Sequence, residues 1–118
     1  MIVNTHGKVP KRVKGLTDEQ MSDISLYLTE KIDSWCDIEG TKPFAATHLV
    51  GGDWSGTPLQ CIKEKHLTSK SESEAHKQAS KELGLLLKLV VIKHMKEFVC
   101  TQETVKGKDN INVYTWTI

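Results

Sequence analysis

Apolar residues recur at Met21, Ile24, Leu28, Ile32 and Trp35. Spacings of three and four put them on one side of a helix and predict α-helix from about residue 17 to 36. Thr17-Asp-Glu-Gln20 ahead of that stripe has the form of a capping box, in which the hydroxyl takes an orphan amide and the residue three later reaches back. Asp18 and Glu19 suit the positive end of the helix dipole. The same start pattern recurs at Thr57-Pro-Leu-Gln60 and Ser71-Glu-Ser-Glu74. With Thr57 as N-cap and Pro58 at the first helical position, a helix of about ten residues is expected, ending near His66 or Leu67. Leu59 and Ile62 form its apolar side. The third start predicts the longest helix, about residues 71–97, with Ala75, Ala79, Leu83, Leu86 and Val90 on one face. Beyond Gly84, the residues Leu85, Leu86, Leu87, Leu89, Val90, Val91 and Ile92 are apolar nearly all round, the sign of a segment buried in its domain or at a dimer interface. Lys77, Lys81 and Lys88, with His76 and Ser80, form the competing polar side.

After Phe98 the period changes. Residues 99–105 and 111–118 are rich in β-branched and aromatic side chains and flank the polar turn Lys106-Gly-Lys-Asp-Asn110, which predicts a β-hairpin. In its second strand Tyr114, Trp116 and Ile118 point one way, and Ile111, Val113, Thr115 and Thr117 the other. An isolated hairpin is marginal, so this one is expected to pack on the long helix or to recruit a third strand from residues 44–50 or 1–5. The expected fold is α+β: three helices followed by a C-terminal β-hairpin, forming one domain over residues 17–118 behind a basic, flexible arm of residues 1–16.

Composition agrees with a single folded domain. A chain of 118 residues buries roughly two-thirds of its unfolded surface and needs no disulfide or metal to fold. The longest apolar run, Leu83–Ile92, is interrupted by Gly84 and Lys88 and is too short to span a bilayer. No membrane partner is expected. The N-terminus lacks the apolar core of a signal peptide, and the three cysteines Cys36, Cys61 and Cys100 have no short spacing. Both features favour a cytoplasmic protein with buried free thiols. The net charge of +1 conceals an asymmetry: Lys8, Lys11, Arg12 and Lys14 carry no accompanying acid, whereas Asp18, Glu19, Asp23, Glu30, Asp33, Asp37 and Glu39 face only Lys31.

The glycine-rich stretch Gly51-Gly-Asp-Trp-Ser-Gly56 precedes the second helix start. Gly51 and Gly56 have the spacing of a phosphate-binding loop, but Thr57-Pro58 stands where lysine and a hydroxyl residue belong. The expectation is a flexible turn pinned to the core by Trp54, not a nucleotide site. Histidines 6, 48, 66, 76 and 94 include no pair three or four apart, so no metal site or other cofactor is expected. Cys61 near a helix start, with His48 or His66, is the one arrangement open to nucleophilic chemistry, and Asp53 the one acid in the flexible loop. A buried thiol and a turn-stabilising aspartate are the commoner roles.

The order helix, short extended piece, helix, longer helix, hairpin resembles the layout of a winged helix-turn-helix domain over residues 17–118. That resemblance implies a recognition helix starting at Ser71, a supporting helix starting at Thr57, and a wing tip at Lys106-Gly-Lys108. It also implies duplex DNA as partner: Lys77, Lys81 and Lys88 at phosphates or bases, Lys106 and Lys108 on the backbone, and Lys11 with Arg12 in a minor groove. Arg12 is the sole arginine, however, and arginine is the commonest specific reader of guanine. DNA binding therefore ranks second. The first expectation is a small non-enzymatic interaction or adaptor protein, of the compact kind frequent among accessory proteins of mobile elements and phage. It is expected to meet a protein partner or a second copy of itself through Leu85, Leu87 and Val91.

Overall fold

The computed structural model describes residues 2–4, 15–51, 53–104 and 110–117. Its elements are β1 (Ile2–Asn4), α1 (Asp18–Glu39), α2 (Ala46–Val50), α3 (Gln60–Leu67), α4 (Glu72–Lys93), β2 (Phe98–Thr104) and β3 (Asn110–Trp116). The layout is α+β, with four helices ahead of a two-stranded antiparallel C-terminal hairpin. The added helix is α2. It occupies residues that alternate too little for a strand, and it leaves only Phe44, just before it, bridged to Tyr114.

α1 begins as its capping box dictates. The Gln20 amide donates to Thr17 Oγ1 at 3.0 Å, and the Thr17 amide donates to Gln20 Oε1 at 2.9 Å. Ile24, Leu28, Ile32 and Cys36 are buried along the predicted stripe, while Met21 and Trp35 pack half-buried at its edges. α3 starts later than its sequence pattern suggests. Thr57 donates its hydroxyl to the Trp54 carbonyl at 2.7 Å, and Gln60 reaches back to the Gly56 amide, one residue short of the expected cap. The bonds Gln60 N→Thr57 O and Ile62 N→Leu59 O tighten this entry into a turn with three-residue spacing, and the α-helix proper begins at Gln60.

α4 is one continuous helix with Ser71 as N-cap, and Gly84 lies inside it. A methyl group at Gly84 would meet nothing within 4 Å, and its φ is not positive. Gly84→Ala is therefore expected to stabilise the fold by about 1 kcal/mol, through reduced freedom of the unfolded chain. A higher urea midpoint with an unchanged slope is the corresponding observation. The helix stops at Lys93, earlier than the expected 97, because His94 turns extended, with ψ 147. Its ring reaches Asp33 of α1 at 2.8 Å and meets the Phe98 ring edge-on. That inward ring redirects the chain into β2.

The three strands lie in the order β1-β2-β3, β1 parallel and β3 antiparallel to β2. Ile2–Asn4 thus supplies the third strand, from the N-terminal of the two candidate segments. Phe98, Cys100 and Tyr114 face inward and join Leu83, Leu86, Leu87, Val90 and Val91 of α4 in one core with α1. Phe44 seals the outer edge of β3, donating its amide to the Tyr114 carbonyl at 2.9 Å and accepting the Tyr114 amide at 2.8 Å.

Candidate functional site

Leu87 is 1% exposed and Val91 is fully buried, so neither is available to a partner; only Leu85, at 43%, reaches the surface. The expected interface is corrected on this point. α4 touches α1, α2, α3 and β1, and these contacts absorb the apolar belt that periodicity alone leaves open. Lys88 needs the same correction. It lies on the helical side that carries Lys77 and Lys81, but at 3% exposure it is part of the buried half of α4. Lys77 and Lys81 are exposed, one turn apart. Lys11, Arg12, Lys106 and Lys108 lie outside the described residues, as does Gly52.

The glycine loop is a built turn. Gly51 and Gly56 take positive φ values of 66 and 76, a region that side chains rarely enter. Asp53 Oδ1 accepts the Ser55 amide at 3.1 Å, and that bond holds its carboxyl below the ordinary range. Trp54 is 6% exposed, donates its indole N–H to the Gly51 carbonyl and lies against the His76 ring. A hollow of about 160 Å³ beside it has a mixed lining, with Asp53, Ser55, Gln60, Lys63 and Glu64 alongside Trp54 and Leu67. Cys61 donates its thiol to the Pro58 carbonyl, and burial raises its pKa above 9.0. A raised thiol is the reverse of what a nucleophile requires.

Besides His76 against Trp54, three histidines serve the fold. His48 Nδ1 accepts the Ala45 amide at 2.8 Å, which fixes the ring as its Nε2–H tautomer when neutral. His66 and Lys65 of α3 both reach Glu82 of α4, clamping the two helices. His94 uses both ring nitrogens, on Asp33 and on the Lys96 amide. Lys96 adds a second bond to Asp33 at 3.3 Å. Among the described residues no group of three or more histidine, cysteine or acidic side chains gathers to hold a metal ion.

The surface also carries a feature that periodicity does not announce. Among the described residues Leu26, Ile38, Leu67, Leu85 and Met95 are the large apolar side chains most open to solvent. Ile38, 77% exposed, stands at the lip of a hollow of about 190 Å³ between α1 and α2. Lys31, Ser34, Trp35 and Glu39 of α1, with His48 and Leu49 of α2, complete its lining. Trp35 is fixed there by its indole N–H on the Lys42 carbonyl at 2.8 Å and by its rings' contacts with Phe44 and His48. A space of this size is below the roughly 300–1,000 Å³ of small-molecule pockets and suits an inserted side chain. Ile38 lies off the buried stripe of α1, as Leu26 does, so the sequence carries no signal that singles out this site.

No known protein family, curated protein or solved structure matches this chain. The expected likeness to a winged helix-turn-helix is not confirmed and rests on element order alone. Among the described residues no helix is long and apolar enough to cross a membrane.

Tyr114 is the buried group with the clearest pH consequence. Its hydroxyl has no hydrogen-bond partner among the described residues, and burial, followed by the nearby Cys100, raises its pKa well above 10.0. The unfolded phenol ionises near pH 10 while the folded one keeps its proton. Its contribution is therefore complete below pH 10 and falls by about 1.4 kcal/mol per pH unit above it, until the folded pKa is reached. Tyr114→Phe is expected to be neutral or stabilising by up to about 1 kcal/mol at pH 7, and to flatten the loss of stability between pH 9 and 11. Urea midpoints of both proteins across that range measure it. A variant with the same alkaline slope as the parent would contradict the assignment.

Proposed function

We propose that this chain is a non-enzymatic protein-interaction domain of the cytoplasm, and that its docking surface is the hollow between α1 and α2. One observation carries the reading: Ile38 stands 77% exposed beside Trp35 and the buried Leu49, around a space that accepts a side chain. An exposed aliphatic next to an anchored tryptophan is the composition of an interface centre, since aromatic anchors supply most of the energy in such contacts. Asp53, already satisfied by Ser55, and Cys61, with its raised pKa, support a role without catalysis. The test is a photo-reactive side chain at Ser34, installed in the full chain and irradiated in expressing cells. A discrete protein adduct that disappears with Ile38→Lys is expected. Irradiation that yields no adduct at all rules the reading out.

A second reading follows from Lys77 and Lys81, exposed together on α4 and without an ion pair among the described residues. These two lysines suit the phosphate backbone of duplex DNA. Binding would then fall steeply with salt, and Lys77→Ala with Lys81→Ala would lower the number of released counterions by about two. No binding at low salt removes this alternative.

A further inference from the structure

Resting on the docking surface proposed above, we infer that its occupant is a second copy of this chain, with the two α1 helices packed antiparallel about a two-fold axis near Trp35. The argument is self-complementarity. A two-fold interface uses one patch twice, so every projection must find its own recess and every charge its opposite within that patch. Here Ile38 supplies the projection and the hollow between α1 and α2 the recess. Lys31 and Glu39, the latter also 3.9 Å from Lys42 of its own chain, supply the charges, eight positions apart on α1 and so about 12 Å from one another along the helix.

An antiparallel pairing centred on residue 35 sets Lys31 of each copy beside Glu39 of the other, twice over. It also brings each Ile38 over the space between Lys31 and Trp35 of its partner. Ser34, small and exposed, leaves room for that approach. Tyr27, on the same side of the helix and already under the Lys31 ammonium at 5.4 Å, extends the face. A second copy meets the two-fold condition with the residues already in this patch, because Lys31 and Glu39 lie symmetrically about residue 35. A contact based on one helix face is at the small end of specific interfaces, so the dimer is expected to be reversible and concentration-dependent.

Sedimentation of the purified full chain tests this directly. The parent is expected to dimerise as concentration rises. Ile38→Lys is expected to sediment as a monomer with the parent's circular dichroism and melting temperature, because the side chain it removes is largely in solvent. Lys31→Glu and Glu39→Lys are each expected to weaken the dimer about tenfold, since each turns two attractive contacts into repulsive ones. Mixing those two variants is expected to regenerate a heterodimer, because each then supplies the charge the other lacks. A parent that is monomeric at every reachable concentration, or a dimer indifferent to Ile38→Lys, overturns the inference. The Ser34 adduct separates the two levels of failure. An adduct of foreign mass from a monomeric chain leaves the docking surface standing and ends the second-copy assignment, whereas no adduct ends both.

Discussion

Phe44→Ala is expected to cost about 3–5 kcal/mol, a large share of the roughly 5–15 kcal/mol that holds a domain together. Phe44 is fully buried, and its ring lies 5.8 Å from both Phe98 and Tyr114 and 6.0 Å from Trp35. One side chain thus joins α1, β2 and β3, and nothing behind it can move in, because its neighbours are held by the strand ladder and by the Trp35 indole bond to the Lys42 carbonyl. Alanine preserves the two backbone bonds to Tyr114, so the loss comes from the ring: transfer of its surface, the cavity left behind, and the edge-on aromatic contacts. At an ordinary urea slope of about 2 kcal/mol per molar, the midpoint falls by roughly 2 M. Phe44→Leu retains most of the volume and is expected to lose much less. A fall under about 0.5 M for the alanine variant would show that the ring is not the joint between helices and hairpin.

The same residue marks where the sequence can and cannot be read. α1 and α4 are legible because a hydroxyl cap and a three-and-four stripe are local signals, and the cap geometry at Thr17 and Ser71 is what such residues produce without outside help. The hairpin is legible for a similar reason, since its alternation is set by the strands themselves. Phe44 is different. Its bridge to Tyr114 spans seventy positions, and α2 directly after it is held by local bonds at its two ends, from the Ala45 amide to His48 Nδ1 and from the Gly51 amide to the Thr47 carbonyl, rather than announced by any periodic pattern. The end of α4 was hidden likewise, because it is decided by His94 meeting Asp33 across the fold. The candidate site lay beyond periodicity altogether. Ile38 reads as one more hydrophobe near a helix end, and only the placement of α2 beside Trp35 makes a recess of its surroundings. Conversely, the apolar belt of α4 reads as a surface in the sequence because α2 and β1, which help to cover it, carry no periodic signal of their own.

Val91→Asp decides between those two accounts of the belt. If residues 85–92 formed an interface, an aspartate there would yield a folded monomer. Val91 is fully buried in the described fold, with Leu87 at 1% beside it, so the carboxylate would enter the core. An unpaired ionised group in such a place costs several kcal/mol, enough to unfold a domain of ordinary stability at neutral pH. The pH dependence carries the sign of that cause. Burial would raise the aspartate's folded pKa above its unfolded value of about 3.9, so the folded state holds a proton that the unfolded state releases. The penalty is then smallest near or below pH 4 and grows by about 1.4 kcal/mol per pH unit as pH rises through that window. Val91→Asp is thus expected to be more nearly folded at pH 4.5 than at pH 7, with Val91→Asn poorly folded at both. Leu85→Asp, at a position 43% exposed, is expected to change stability by no more than about 0.5 kcal/mol at either pH. Circular dichroism and urea midpoints at the two pH values read all three. A well-folded Val91→Asp chain at pH 7 would return the belt to the surface and with it a partner at Leu85, Leu87 and Val91.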